Sequence, residues 1–237
     1  MSDIRFLDRI SRWMGWCPNS GNMPEKISQR GDAVRNGVTG ASGPALARSL
    51  LFSRLSWMVA ALSYLAAFVA LPMLPEIIPV HWNLYGDPDG FSSRLVGAFG
   101  PPVIITLTLL FLQIIPRFDR RAEGFEQGRD LYQLVVFATI SMLFGLEVVV
   151  LLIASGIDIA MEVIFPMMLG LLFIVIGGVL PHLQQNTTIG IRFPWTLRDE
   201  RNWKKTHQQG GILFVAGGIL MVLASPFAGR WSLLLLL

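Results

Sequence analysis

Few residues of this chain are of a type that carries out chemistry, and they lie far apart. The chain has three histidines, His81, His182 and His207, and one cysteine, Cys17. A single cysteine excludes an internal disulfide, and it would need several partners before it held zinc. Because no nucleophile, base and orienting acid converge in the sequence, we predict no enzyme activity, no cofactor and no metal site.

The densest group of polar residues lies in the stretch LPEIIPVHWNLYGDPDGFSSR, residues 74–94. The spacing of His81, Asp87 and Asp89 matches no metal motif. The run GDPDG at 86–90 is instead typical of a tight turn, because glycine adopts positive φ and aspartate caps nearby backbone N–H groups. Two interpretations stay open: a loop that closes a helical bundle, and a loop that binds an external ligand or peptide. The candidate ligand-binding residues are His81, Trp82, Asn83, Gly86, Asp89 and, from a later segment, Glu147.

Glu147 is the one acid inside a long apolar run. It lies about 16 residues into that run, or roughly 24 Å along a helix, which places it nearer the outer face than the midplane. A charge at the centre of a span costs about 2.5–3.5 kcal/mol, and the surrounding Leu, Val and Ile residues offset this at about 0.3–0.6 kcal/mol each. We therefore predict that the run inserts. Glu147 is then either a protonated or water-reached acid, or a group that binds a ligand, proton or ion.

A second polar stretch, NTTIGIRFPWTLRDERNWKKTHQQGG, covers residues 186–211. Thr196 followed by Asp199 resembles a capping box, so we predict that a helix begins there. Trp203 and His207 are four residues apart on one face of that helix, and the glycines at 210 and 211 offer a break after it. This pattern predicts an interfacial helix anchored by tryptophans. The candidate partner-binding residues are Asn186, Gly190, Arg192, Pro194, Trp195, Thr196, Trp203 and His207.

The segments that must position these residues are long and apolar. Of 237 residues, 53% are hydrophobic and 15% charged, and the mean hydropathy is +0.55. A soluble domain has about 25% charged residues, so this composition argues against a water-soluble fold. A helix of about 20 apolar residues crosses the roughly 30 Å hydrocarbon core and satisfies its own backbone there. The continuous apolar runs are Leu55–Pro75, Leu95–Pro116, Leu131–Ile157, Val163–Pro181 and Gln208–Gly229. The predicted fold class is an all-α integral membrane protein, a polytopic helical bundle of five spans. The short apolar tail from Trp231 is either a truncated sixth span or a segment that lies in the membrane interface.

The basic residues indicate which way the bundle faces. Of 19 Lys and Arg residues, all except Arg94 and Arg230 precede the first run or lie between runs two and three or four and five. The positive-inside rule therefore predicts a cell-membrane protein with a cytoplasmic N-terminus, the 186–211 stretch inside and the 74–94 stretch outside. This distribution needs no direct nucleic-acid partner. The first apolar run starts too late for a cleaved signal peptide, which predicts an uncleaved signal anchor.

The two polar stretches carry motifs that resemble those of a known family. The pattern LP-x-x-IP-x-HWN-x-x-G-x-x-D stands at residues 74–89, and N-x-x-x-G-x-R-x-PWT followed by W-x-x-TH stands at 186–207. Together these motifs resemble the SdpI-type immunity family, which includes a short N-terminal domain of unknown function that carries the first motif. The resemblance implies a multi-pass membrane protein that protects its host from a secreted peptide toxin. It also implies that a small cytoplasmic repressor is held at the inner stretch, as part of signal transduction.

Four parts follow from these observations. Residues 1–16 form a predicted amphipathic interfacial arm, 17–50 a flexible cytoplasmic linker, 51–116 the first two spans with the outer HWN loop, and 117–237 an SdpI-like membrane domain with the inner PWT loop. The arm either lies on an anionic inner leaflet or docks a partner protein. The alternative function is a small ion- or proton-coupled transporter with Glu147 as the titrating group. Five spans and no visible repeat fit that alternative poorly.

Overall fold

The computed structural model describes residues 43–83, 85–119 and 122–228. The predicted arm, most of the predicted linker, Cys17 and the segment from Trp231 lie outside these residues. The helices in chain order are α1 (Gly43–Ala70), α2 (Arg94–Ile114), α3 (Ala122–Gln127), α4 (Arg129–Ala154), α5 (Met161–Val179), α6 (Pro194–Arg198) and α7 (Glu200–Ala228). Two strands, β1 (Ile77–Trp82) and β2 (Pro88–Ser93), join α1 to α2. Short 3₁₀ turns at Leu71–Met73, Ile115–Phe118 and Leu180–His182 extend α1, α2 and α5.

Within the residues that the structure describes, five helices are long and apolar enough to cross a membrane, which confirms the predicted polytopic all-α fold class. With the 3₁₀ turns included, they are Gly43–Met73, Arg94–Phe118, Arg129–Ala154, Met161–His182 and Glu200–Phe227. Their outward faces carry large exposed apolar side chains such as Leu65, Phe111 and Leu213. In a protein of this class such side chains face lipid, because the bilayer core is as apolar as they are.

The helices pack as two neighbouring groups. α1, α2 and α4 pack against one another, and their core holds Ala60, Ile105, Leu109, Val136 and Ile140. α5 packs along most of α7 and more lightly against α4. The alternating direction of the spans brings the 77–93 hairpin and the 155–160 loop to one end of the bundle, the hairpin end. The 183–199 segment and α3 lie at the other end, the loop end.

Glycines bring α5 and α7 into direct backbone contact. A Cβ built on Gly177 would lie 2.8 Å from the carbonyl oxygen of Gly211, and one built on Gly218 would lie 2.5 Å from that of Gly170. Side chains at these four positions would hold the helices apart. Small residues that allow such an approach are the usual means of association between helices in lipid, where apolar burial contributes little.

The described residues differ from the sequence predictions at three places. α1 begins at Gly43, so residues 43–50 are helical although the sequence assigned them to a linker. The prediction that a helix begins at Thr196 and breaks at residues 210 and 211 is wrong, because α7 begins at Glu200 and continues through both glycines. Gly210 packs on Ile191, and Gly211 packs on α5. Their low helix propensity, about 1 kcal/mol each against alanine, is therefore offset by close packing.

The third difference is the 74–94 loop, which is an antiparallel β-hairpin. Ile77 pairs with Ser93 and Pro79 with Phe91, with irregular register around His81. Pro79 is tolerated because a two-stranded sheet consists only of edge strands, where a missing N–H can face outward. Ile78 is fully buried and packs into a cluster with Ala67, Ala98 and Leu151. This contact fixes the hairpin to the ends of α1, α2 and α4.

Candidate functional site

The turn of the hairpin is built by Asn83 and Gly86. The Asn83 side-chain oxygen accepts hydrogen bonds from the backbone N–H groups of Tyr85 at 2.8 Å and Asp87 at 3.0 Å. Gly86 has φ +81°, a conformation that favours glycine, and a Cβ at this position would clash with the side chain of Glu162. Two residues of the HWN motif are therefore required by the shape of the turn, whatever else they bind.

His81 and Asp89 form a pair across the two strands. The distance from His81 Nδ1 to Asp89 Oδ1 is 2.5 Å, and both side chains are largely open to solvent. An exposed pair of this kind contributes at most about 1 kcal/mol. In the described part of the chain, no three His, Cys, Asp or Glu side chains gather into a metal-binding group. The pair therefore orients the imidazole at the rim of the hairpin.

A cavity of about 380 Å³ lies beneath the hairpin, and we call it the hairpin cavity. Its size is within the roughly 300–1,000 Å³ range of small-ligand pockets. Its walls come from three elements, the hairpin, α4 and α5. The lining residues are His81, Trp82, Asn83, Gly86, Leu146, Val150, Met161, Glu162 and Phe165. The walls are mostly aliphatic or aromatic, with an imidazole and a carboxylate among them, so the cavity suits an apolar side chain next to a polar or cationic group.

Glu147 lies apart from this cavity. Its neighbours Leu146 and Val150 line the cavity, whereas Glu147 is buried to 2% exposure against α1. The hydroxyl of Ser63 donates to Glu147 Oε2, and Oε1 has no hydrogen-bond partner among the described residues. Glu147 therefore makes a polar contact between α4 and α1 and does not join the other candidate ligand-binding residues. A transport role for it stays a prediction.

At the loop end, Trp203 and His207 are buried against each other, and we call them the Trp–His pair. Their rings stack with centroids 3.9 Å apart on the face that their four-residue spacing gives them. Contrary to the sequence prediction, Trp203 is buried in the bundle and does not anchor the helix at the membrane interface. His207 Nδ1 is 2.8 Å from the carbonyl oxygen of Trp203, and Nε2 accepts the backbone N–H of Ile191 at 3.0 Å. Because the carbonyl only accepts, the proton is on Nδ1 and the imidazole is neutral. The indole N–H of Trp203 donates to the carbonyl of Leu183 at 2.8 Å, so both rings hold the 183–191 segment in place.

Asn186 and Thr196 are buried in the same segment and also have structural partners. The side-chain oxygen of Asn186 accepts the N–H groups of Thr188 and Ile189, both at 2.8 Å. The hydroxyl of Thr196 accepts the N–H of Phe193 at 2.9 Å and donates to the carbonyl of Ile191 at 2.8 Å. Thr196 lies inside the short helix α6 and does not begin a longer one.

Asp199 caps α7 in place of the predicted Thr196. Its Oδ1 accepts the N–H of Arg201 at 2.7 Å, and its carbonyl accepts the N–H of Trp203 at 3.0 Å. A carboxylate at the N-terminus of a helix also meets the positive end of the helix dipole. Asp199, which the capping-box pattern placed three residues after the helix start, thus directly precedes the helix.

Beside the buried residues of the loop end lies a small exposed surface of aromatic and basic side chains. Phe193 and Trp195 stack with centroids 4.7 Å apart and are 49% and 57% exposed. Arg192 donates to the carbonyl of Thr187 at 2.6 Å, and Pro194 is exposed beside it. We call these four residues the aromatic patch. Of the eight candidate partner-binding residues, only Arg192, Pro194 and Trp195 are therefore presented on this surface, and Phe193, which the sequence analysis omitted, joins them.

Gly190 lies between the aromatic patch and the Trp–His pair. It has φ +115°, and a Cβ there would clash with His207 Nε2 and lie 3.2 Å from the Trp203 ring. Its role is therefore to let the chain pass the two buried rings.

Sequence reasoning also missed Asp119, which joins the 183–199 segment to the end of α2. Its carboxylate accepts the backbone N–H of Thr187 at 3.1 Å, the Thr187 hydroxyl at 2.7 Å and the Thr188 hydroxyl. The threonines lie 68 and 69 positions further along the chain. A contact of such separation leaves no local pattern in one sequence.

Comparisons with known proteins agree with both motifs. Residues 182–237 match a family model described as the SdpI/YfhL protein family, and residues 58–106 match a domain of unknown function, DUF1648. Immunity protein SdpI of Bacillus subtilis (strain 168) is 26% identical over 183 residues, which are 77% of this chain and 86% of that protein. No solved structure matches. The resemblance predicted from the HWN and PWT motifs is therefore confirmed.

Proposed function

We propose that this chain, a multi-pass membrane protein that resembles SdpI-type immunity proteins over both of its motifs, protects its host cell by binding a secreted peptide toxin at the hairpin end. The observation that carries the proposal is the hairpin cavity. The HWN motif provides one wall of it, and the helices α4 and α5 provide the others. A pocket of this size takes one or two apolar side chains of a peptide. His81 and Glu162 in the lining add polar contacts, and Asp89 holds His81 from outside the cavity.

The proposal requires the hairpin end to face outward, and the distribution of charge supports this orientation. Among the described residues, the hairpin end has one lysine or arginine, Arg94. The loop end has nine, which are Arg48, Arg54, Arg117, Arg129, Arg192, Arg198, Arg201, Lys204 and Lys205. Positive charge stays on the cytoplasmic side during insertion. The aromatic patch then faces the cytoplasm, where it would bind a small regulator such as a repressor.

The two ends are linked by α5 and α7. Met161, Glu162 and Phe165 of α5 line the cavity, and the glycine contacts fix the rest of α5 against α7. α7 in turn carries Trp203 and His207, which hold the segment that presents the aromatic patch. A peptide that shifts the start of α5 would therefore move this segment as well. Such coupling requires that peptide and regulator each prefer one of the two arrangements.

Loss of the cavity wall is expected to remove protection. In a sensitive host challenged with a panel of secreted peptide toxins, the unaltered chain should raise the inhibitory concentration of at least one. Trp82→Ala should reduce that protection at least about 30-fold, because truncating a central aromatic contact costs about 2 kcal/mol or more. Phe91→Ala is the matched control, since Phe91 is an exposed aromatic residue of the same hairpin outside the cavity lining.

Membrane abundance of each variant, measured by immunoblot, separates loss of binding from loss of protein. Equal losses for Trp82→Ala and Phe91→Ala at equal abundance would argue against the cavity as the binding site. Failure of the unaltered chain to protect against every toxin in the panel would contradict the proposed function itself.

Orientation is tested separately by labelling single cysteines in a Cys17→Ser background. Asp87→Cys places a thiol on the exposed hairpin turn, and Arg198→Cys places one on the exposed end of α6. With a membrane-impermeant maleimide on intact cells, we expect the first to react at once and the second only after lysis. Labelling of Arg198→Cys from the medium would reverse the orientation and with it the proposed toxin site.

A further inference from the structure

A second cavity of about 380 Å³ lies at the loop end, between α1, α2 and α4. We call it the arginine cavity. The polar residues that line it are Ser49 and Ser53 of α1, Gln113 and Arg117 near the end of α2, Glu126 of α3, and Arg129 and Gln133 of α4. Unlike the hairpin cavity, it is dominated by hydrogen-bonding groups. No step of the proposed immunity function uses it.

The two glutamines that line this cavity are hydrogen-bonded to each other. Each side-chain amide donates to the carbonyl oxygen of the other at 3.1 Å, and Gln113 also donates to the hydroxyl of Ser53 at 3.4 Å. These bonds tie three spans together and satisfy the carbonyl oxygens of both amides. Among the described residues, the buried donor of this cavity that has no acceptor is the Nε–H of Arg129.

Arg129 is held in place and still has an unsatisfied donor. Its Nη2 bonds to Glu126, and its guanidinium lies 5.9 Å from the centre of the Phe125 ring. Its Nε–H is buried and has no hydrogen-bond partner among the described residues. A buried guanidinium donor without an acceptor costs about 1–3 kcal/mol or more, so such groups normally have a partner. The cavity beside it has room for an acceptor.

The charge of the lining favours an anion. Two guanidinium groups, on Arg117 and Arg129, face a single carboxylate, that of Glu126. Arg117 forms no ion pair with any described residue, so its charge is not cancelled within this part of the chain. Arginine presents several N–H donors in a planar fork that matches the oxygens of phosphate. One negative charge from a phosphodiester would balance the set.

The position of the cavity along the membrane normal also fits a phosphate group. Arg117 lies at the end of the span Arg94–Phe118, and Arg129 at the start of the span Arg129–Ala154. Both ends are at the level where a helix leaves the hydrocarbon core and meets the headgroups. We propose that the arginine cavity binds a phosphate group, supplied by the headgroup of an anionic phospholipid or by free phosphate, through the Nε–H of Arg129 and the guanidinium of Arg117.

Native mass spectrometry of the purified full-length chain in detergent tests this proposal. With phosphatidylglycerol as the probe, we expect Arg117→Gln to weaken binding of the tightest lipid at least about tenfold, and Arg129→Gln to do the same. Arg117→Gln is the more informative variant, because it breaks no described contact. Lys205→Gln is the control, since it removes one exposed positive charge at the same end outside the cavity.

Inorganic phosphate distinguishes the two sources. If phosphate displaces phosphatidylglycerol from the unaltered chain and itself binds with Arg117 present but not with Arg117→Gln, the natural ligand is free phosphate. If millimolar phosphate leaves the lipid bound, the ligand is the lipid. The proposal is overturned if Arg117→Gln binds both probes as the unaltered chain does, or if Lys205→Gln loses binding to the same extent.

Discussion

Replacing Gly190 with alanine is expected to lower the melting temperature of the purified protein on the order of 10 °C. The residue has φ +115°, which costs an alanine about 1–3 kcal/mol in backbone strain. The added Cβ also collides with His207 Nε2 and so breaks the hydrogen bond from Ile191. Losing a buried hydrogen bond costs about 1–3 kcal/mol more. Together these effects amount to about 2–6 kcal/mol, and a chain of this size loses about 2–4 °C per kcal/mol.

Gly156→Ala is the matched control for this prediction. Gly156 also has positive φ, +95°, but a Cβ there would meet nothing within 4 Å. It therefore reports the backbone strain alone. If the two variants lower the melting temperature by the same amount, the contact with His207 contributes nothing to stability. The structural role given to the Trp–His pair is then wrong.

Gly218→Ala is expected to cause the second largest loss of thermal stability, because it forces α5 and α7 apart. The added Cβ would lie 2.5 Å from the carbonyl oxygen of Gly170 and 2.9 Å from Ile174. Backbone does not yield as a flexible side chain does, so the helices must separate, at a cost of about 1–3 kcal/mol. The measurement is thermal unfolding in detergent, followed by loss of the monodisperse peak in size-exclusion chromatography.

The adjacent glycine provides the comparison. A Cβ on Gly217 meets nothing within 4 Å, and alanine is the better helix former by about 1 kcal/mol. We expect Gly217→Ala to leave stability unchanged or to raise it slightly. Equal destabilisation by the two substitutions would show that the loss comes from the helix itself and that the contact with α5 is unimportant.

The spans were predictable because the bilayer imposes a length. An uninterrupted apolar run of about 20 residues has few alternatives to a membrane helix, and five such runs became five helices. The common face of Trp203 and His207 was predictable for a similar reason, since residues four apart lie on one side of any helix. Both predictions depend on local spacing alone.

The predictions that were wrong concern features that depend on contacts between distant segments of the chain. Apolar residues cover all sides of a membrane helix, so hydrophobic periodicity did not show that Leu146 faces the cavity while Glu147 faces α1. The hairpin was read as a loop because Pro79 and the glycines obscure two short strands that the buried side chain of Ile78 fixes to the bundle. The glycines at 210 and 211 were read as a helix break, although packing against Ile191 and α5 keeps them helical.

The motif residues divide in the same way. Asn83 and Gly86 shape a turn, and Asn186, Thr196, Trp203 and His207 hold a segment together. A motif in one sequence does not separate residues that build a surface from residues that present themselves on it. Their burial and their hydrogen-bond partners do separate them, and they leave Trp82 at one end and the aromatic patch at the other for the binding roles that we propose.

The glycine contact between α5 and α7 has a consequence for how the chain is made. The first three spans, α1, α2 and α4, find their main neighbours among themselves, so they can associate while the ribosome is still translating the rest. α5 has its principal neighbour in α7, which emerges later than any other described span. Until α7 is inserted, Gly170 and Gly177 face lipid or the insertion machinery. The packing of α5 therefore waits for α7, and a ribosome that stalls before residue 200 leaves α5 with only its lighter contact to α4.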